Sequence, residues 1–501
     1  MPAAHTVIRG GRLLDIERHA APFSDILLKG DAILEIGQPG LAAPESAEFV
    51  DASGMLLHPG LINGHTHGHG NLAKGMGDRW SLELLLTAAP WIGGGRELED
   101  KYLSTLIGAA EMLLKGCTAA YDLAFEFPAP TTEGMAAMAR AYQDAGMRCV
   151  LAPMVADIAF YDAIPGLLDA LPKHLQDEIP AMRLAPAEAT LARIETILEG
   201  WDVDPDWVRP AVAPTIPHHC TDDFLIGCRD LARAHGVGLH SHVAESKVQA
   251  VAGRKLYGKT LLQHMDAMGL VGADFTVAHG VWLDDDDMKR LAGHGASVSH
   301  NPGSNALLGS GIADARRMLE FGVNLGIGTD GANCADNQNM YEAMRTALYV
   351  SHVRGPDTSL WLSTAEIVKA ATEGSARALG MKNVGKIAPG YKADIVFLDL
   401  DSINWIPIND PTNQLVQTED GTSVHSVMVG GTFAVKAGKL VNLTLASLAR
   451  DVEATRQRLE AANHERRALF PHLAKVVNSF CPGLAREPYH IHRYGAPHHT
   501  H

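Results

Sequence analysis

The amino-acid sequence predicts an α/β protein: a distorted (β/α)8 barrel with an accessory β-sandwich domain built from both ends of the chain. Three observations lead there. Between residues 58 and 380, short apolar runs alternate with helix-like segments, the pattern of parallel strands joined by crossover helices. Polar residues gather at the C-terminal ends of those runs, where such barrels keep their active sites. Residues 1–57 and 381–445 share a texture of short strands and turns, which places the two ends in one sheet domain. The remainder, 446–501, reads as a C-terminal helical extension with a His-rich tail.

Composition narrows the function. The chain has 501 residues, 46% apolar and 20% charged, enough to bury a large core. Its net charge of −16 argues against a nucleic-acid surface and for a small-molecule ligand. The six cysteines show no CxxC spacing and read as reduced thiols. The N-terminus lacks a basic region followed by an apolar one, and no window is apolar for long enough to span a membrane. The expectation is a cytoplasmic protein.

The elements follow in order. Thr6–Arg9 reads as a strand turning at Gly10-Gly11, and Asp25–Leu28 as one turning at Gly30-Asp31. Ala32–Ile36 and the run to Leu57 complete the N-terminal half, and Ile395–Leu398, Ser426–Val429 and Phe433–Val435 the C-terminal half. Eight barrel strands are expected. The first ends at His65/His67; the others are Cys117–Asp122, Arg148–Ala152, Val208–Ala213, Val237–His242, Phe275–His279, Ala296–His300 and Val323–Asp330. Glu133–Ala145 and Thr221–His235 fit amphipathic helices. Ala446–Leu469 is a further helix, and the tail with His490, His492, His498, His499 and His501 is expected to be mobile.

The chemistry starts at Leu57–His67. On a strand, side chains at i and i+2 share a face, so His65 and His67 reach one point and make half of a metal site. In Leu239-His240-Ser241-His242-Val243-Ala244-Glu245, a His ends a strand and a carboxylate follows three residues later. His240 and His242 share a face, so parity does not choose between them. His279 ends its strand where it could orient a water. Asp330, between glycines after an apolar strand, is a poor core residue and a plausible fourth ligand. Three His and one Asp around one divalent ion leave room for a water, whose pKa the ion lowers toward ~7. Glu245 suits protonation of a leaving or ring nitrogen. The ligand set accepts zinc, iron or manganese.

The segments HPGLINGHTH, GLHSHVAES, VAHGVWL, SHNPGSNALLGSGI, GVNLGIGTDG and IAPGYKADIVFLD together resemble the amidohydrolase superfamily, in its mononuclear aminohydrolase branch. That branch includes methylthioadenosine/S-adenosylhomocysteine deaminases, guanine and 8-oxoguanine deaminases, and triazine hydrolases. The resemblance implies His65, His67, His242 and Asp330 as ligands of one metal, usually zinc and in some relatives iron. It selects His242 over His240. It implies Glu245 as the proton shuttle, His279 as the residue that polarises the water, and Asn305 as a holder of the loop that closes on substrate. Homodimers or homotetramers are common in the family.

Two positions depart from the branch. Thr215 stands where adenosine-type deaminases usually have His, and Trp91-Ile92-Gly93-Gly94-Gly95 lacks the acid that contacts ribose. These departures favour a bare aminated heterocycle over a nucleoside. Trp80, His218, His219 and Asn333 lie near strand ends, as do Asp122 and Glu126, and fit structural and substrate-facing roles equally.

The expected function is metal-dependent hydrolytic deamination of a purine-, pterin-, pyrimidine- or triazine-type ring by metal-bound hydroxide. The first alternative is hydrolysis of an amide, urea or carbamate bond on the same site. A non-catalytic scaffold is the second, and the full set of polar residues at strand ends argues against it.

Overall fold

The computed structural model describes residues 4–335 and 337–495. Both chain ends share one sheet. Its strand order runs Lys439–Leu440, Thr432–Lys436, Val424–Val429, Ile395–Asp399, Met55–Pro59, His5–Leu13, Phe23–Lys29 and Ala32–Gly37, with Glu48–Asp51 also paired to His5–Leu13. The join is antiparallel, from Ile395 opposite Pro59 to Asp399 opposite Met55. Alternating side chains of both ends, among them Ile8, Ile26, Leu57, Ile395, Phe397 and Met428, bury one apolar face.

Gly10-Gly11 is not the expected turn. The strand runs on to Leu13, with a register shift between Ile8 and Gly11. Gly10 has φ +82°, and a Cβ there would meet Ser53 Oγ at 2.7 Å. The glycines therefore make a β-bulge that bends a continuing strand.

All eight expected barrel strands form. They are β1 (Leu61–Thr66), β2 (Cys117–Phe125), β3 (Arg148–Val155), β4 (Val208–Pro210, resumed at Ala213–Pro214), β5 (Leu239–Val243), β6 (Phe275–His279), β7 (Ser297–His300) and β8 (Asn324–Ile327). β1–β4 pair in parallel, as do β5–β8. Two seams join the halves. At one, Val212 N–H donates to Gly238 O, His240 N–H to Val212 O and His242 N–H to Thr215 O at 3.0, 3.0 and 2.8 Å. At the other, Asp330 N–H donates to His65 O at 2.9 Å. A Cβ on Gly328 would meet His65 N at 2.7 Å, so only glycine lets the last strand approach the first this closely.

The helices used below are α1 (Leu82–Ile92), α2 (Thr132–Ala145), α3 (Asp222–Ala234), α4 (Lys247–Tyr257), α5 (Leu445–Ala462) and α6 (His464–Ala485). α2 and α3 start where their caps dictate: Thr131 and Thr221 hydroxyls accept from the N–H groups of Gly134 and Phe224. The single helix expected at Ala446–Leu469 is instead two, reaching Ala485. They break at Asn463, whose Nδ2 donates to Leu459 O and to Gly94 O at 2.9 and 2.8 Å. A side chain that competes for helix carbonyls interrupts the ladder. No helix among the described residues is long and apolar enough to cross a membrane.

The start of the tail is docked rather than mobile. Arg493 donates to Val281 O and Leu283 O, and Ile312 N–H donates to Arg493 O. Tyr494 packs on Trp282 at 5.1 Å, and His490 Nε2 lies 2.7 Å from Asp284 Oδ2. His492 lies beside Tyr494. Arg493, Tyr494 and His490 of that tail supply these contacts. His498, His499 and His501 lie outside the described residues.

One ion pair ties the barrel to the sheet of the chain ends. Arg148, at the start of β3, contacts Asp394 at 2.9 Å with both side chains 3% exposed. Removing one partner of a buried pair leaves an uncompensated charge. Arg148→Leu is expected to lower the unfolding free energy by about 3–5 kcal/mol, read as a fall in the urea midpoint. An unchanged midpoint would show that the pair contributes nothing net.

Candidate active site

β1 delivers two imidazoles into the barrel. His65 is fully buried and neither ring nitrogen has a hydrogen-bond partner. His67 Nδ1 sits 2.8 Å from Leu123 O, and His242 Nδ1, from β5, sits 2.7 Å from Thr215 O. A carbonyl only accepts, so each Nδ1 carries its hydrogen, and in the neutral imidazole each Nε2 then carries the lone pair. Those two Nε2 atoms face each other at 3.2 Å. Two lone pairs cannot bond to one another; the arrangement calls for a cation between them. Burial pushes His65 down to about 4 and lowers His242 as well, so both rings are neutral and fit to ligate near pH 7.

Asp330 follows β8. Its Oδ1 lies 3.5 Å from His65 Nε2 and 3.3 Å from His67 Nε2. Burial opposes its ionisation, but the close imidazoles of His65, His279 and His67 prevail, and its carboxyl stays well below the usual range. Ligand atoms of His65, His67 and His242 fall within 4.8 Å of one another, as do those of His65, His279 and Asp330. His240 also points inward but lies deeper, packed edge-on against Tyr121 at 4.4 Å.

His279 Nδ1 donates to Asn305 Oδ1 at 2.9 Å. Its Nε2, otherwise unpartnered, therefore presents a lone pair 3.6 Å from Asp330 Oδ2 and 3.8 Å from Glu245 Oε2. Burial, then the charges of Asp330 and Glu83, push the Glu245 carboxyl well up, so it holds a proton where a solvated carboxyl would not. Ala244, His279 and Asp330 have φ of +53°, +69° and +64°. Non-glycine residues in this region store about 1–3 kcal/mol each and cluster at working sites. Here they turn the chain at the ends of β5, β6 and β8.

The roof is apolar. Leu82 and Leu85 of α1, Leu308 beyond β7, Cys334 beyond β8 and half-buried Trp80 form one cluster. Trp80 also packs on Phe470 of α6 at 5.3 Å. His218 and His219 follow β4 with rings 4.7 Å apart; His218 Nδ1 has no partner, and neither does Asn333 Oδ1 above Gly70. Asp122 and Glu126 have structural partners: Asp122 accepts from Gly68 N–H and Tyr142 hydroxyl, Glu126 from Thr131.

The residues overlooked in the sequence are Glu83 and Gln249. Glu83 is buried and accepts from Ser246 Oγ and Ser81 Oγ at 2.9 and 2.8 Å. Gln249 touches Glu245 twice. Ser246-Lys247-Val248-Gln249 carries the S-x-x-Q signature of a helix start, which could have drawn attention to Gln249.

Residues 56–434 match the amidohydrolase family. The chain belongs to the amidohydrolase family. This amidohydrolase is 31% identical to a 5′-deoxyadenosine deaminase of Methanothermobacter thermautotrophicus, over 86% of its own length and 91% of the relative's. It is 32% identical to a 5-methylthioadenosine/S-adenosylhomocysteine deaminase of Thermococcus onnurineus, over 85% and 92%. A zinc-bound adenosine deaminase from Xanthomonas campestris superposes with a TM-score of 0.80 at 25% identity, covering 92% of the amidohydrolase and all of that chain. A triazine hydrolase from Arthrobacter aurescens, at 24% identity and a TM-score of 0.80 over 90% and 99%, shares the fold.

Replacing Asn305 tests how the His279 tautomer is set. Partners that orient an active-site imidazole are worth about 10–100-fold. Asn305→Leu is expected to lower turnover by that factor with metal content unchanged. A matching loss of metal would assign Asn305 to the metal's support instead.

Proposed function

We propose that this amidohydrolase deaminates an aminated nitrogen heterocycle of the purine, pterin, pyrimidine or triazine type by hydrolysis. The observation that carries the reading is the facing pair of Nε2 atoms on His67 and His242, 3.2 Å apart, with the buried Glu245 carboxyl in the same site. A divalent ion, zinc in this reading with iron as the alternative, would be held by His65, His67, His242 and Asp330, and would make water nucleophilic near neutral pH. Asp330 Oδ2 and His279 Nε2, 3.6 Å apart, would orient the attacking water for loss of its proton. Glu245 protonates the ring nitrogen beside the attacked carbon. It then collects one proton of the water and passes it to the departing amino group, and the remaining hydroxyl proton returns to Glu245 as the ring carbonyl forms. Water and an amino-substituted ring carbon become a ring carbonyl and ammonia. The apolar cluster of Leu82, Leu85, Leu308 and Trp80 would suit a flat ring.

The relatives named as deaminases support this chemistry. They are named for adenosine-type nucleosides, whereas two local features favour a bare ring. Thr215 serves His242 through its carbonyl. Gly94 lies under Asn463 and Arg466, where a Cβ would meet Arg466 Nη1 at 2.6 Å, so no acidic side chain reaches out from that position.

The test is ammonia release from zinc-loaded protein offered adenine, guanine, pterin, cytosine, melamine, 5′-deoxyadenosine and methylthioadenosine. Release from one ring class is expected. Silence across the panel with metal bound would overturn deamination and leave amide, urea or carbamate hydrolysis.

A further inference from the structure

Gln249 is the third residue of α4, and Ser246 caps that helix: its Oγ accepts from Gln249 N–H at 3.2 Å. In the usual S-x-x-Q start, the glutamine side chain reaches back to the N–H of the capping residue. Here it reaches one residue further. Oε1 of Gln249 accepts the backbone N–H of Glu245 at 2.9 Å. That bond decides the orientation of the amide, because an N–H can only donate and the atom facing it must be the carbonyl oxygen. Nε2 is therefore turned to Glu245 Oε2, at 3.4 Å. The same Oε2 faces His279 Nε2.

The surroundings leave the amide no other choice. Gln249 and Glu245 are each 2% exposed. Ser246 is fixed by Glu83, and Ala244 O is held by Trp282 N–H at 2.8 Å. We propose that Gln249 is the positioning residue of the proton-carrying carboxyl. Its fixed Nε2–H group makes Oε2 the accepting oxygen of Glu245 and leaves the transferable proton on Oε1. This rests on the reading of Glu245 as proton shuttle.

Two substitutions separate positioning from helix capping. Gln249→Met keeps the length and removes both hydrogen bonds. Gln249→Glu keeps an acceptor for the Glu245 N–H and is as good a capping residue, but turns an oxygen instead of an N–H toward Oε2. Kinetics would be measured with the best substrate of the panel above, and the infrared carbonyl band of Glu245, identified by its loss in Glu245→Gln, in zinc-loaded protein without substrate. Both Gln249 variants are expected to lose about 10–100-fold in kcat, with KM within about twofold, metal retained and the Glu245 band shifted. Recovery in Gln249→Glu to the wild-type rate, or an unmoved band in Gln249→Met, would overturn the proposal. Wild-type turnover in Glu245→Gln would instead remove the shuttle reading. If no compound turns over, the band position decides alone.

Discussion

Glu245→Gln is expected to keep its metal and lose about 10²–10⁴-fold in turnover. The amide has the shape of the acid, and the partner across from it, the Gln249 side chain, can still bond to it. What it cannot do is give up a proton and take one back within the same cycle. Burial, Asp330 and Glu83 raise the affinity of Glu245 for its proton above that of a solvated carboxyl. That affinity matters only if the group delivers a proton. Turnover by ammonia release and metal content by elemental analysis check the prediction together. A variant that turned over normally would show that another group handles the proton. A variant that lost its metal would show that Glu245 supports the ligands.

The second large effect concerns the ion. Without a cation, the Nε2 atoms of His67 and His242 present lone pairs to each other at 3.2 Å in a buried site. A ligand that binds only the folded state stabilises it by RT ln(1 + [L]/Kd), about 4 kcal/mol at a thousandfold excess over Kd. Chelation of the wild-type protein should therefore abolish turnover and lower the melting temperature by several degrees. His67→Ala should start inactive and show no further drop with chelator, because there is no bound ion left to remove. An equal drop in both proteins would put the stabilising ion elsewhere.

The barrel was legible because two periodicities coincide: strands of apolar residues and helices between them, with histidines and carboxylates gathered where strands end. Local parity also placed His65 and His67 together. It could not rank His240 against His242, because both point inward; depth along the strand separates them, and Tyr121 takes the deeper one. Gly10-Gly11 and Asn463 misled for a related reason. Glycine pairs mark turns and bulges alike, and only the pairing register with Phe23–Lys29 shows which one this is. The break at Asn463 depends on Gly94, far away in the chain. Gln249 escaped notice because a capping signature reads as local structure, while its role depends on how far back the side chain reaches.

The seam between β8 and β1 sets an order of events during synthesis. His65 and His67 leave the ribosome early, and Asp330 only after seven more strands have followed β1. The backbone of Asp330 docks on His65 through a contact that Gly328 alone permits. A chain caught part-way therefore offers imidazoles but no carboxylate. With the proposed ligand set, full coordination would come only when the last strand has closed on the first.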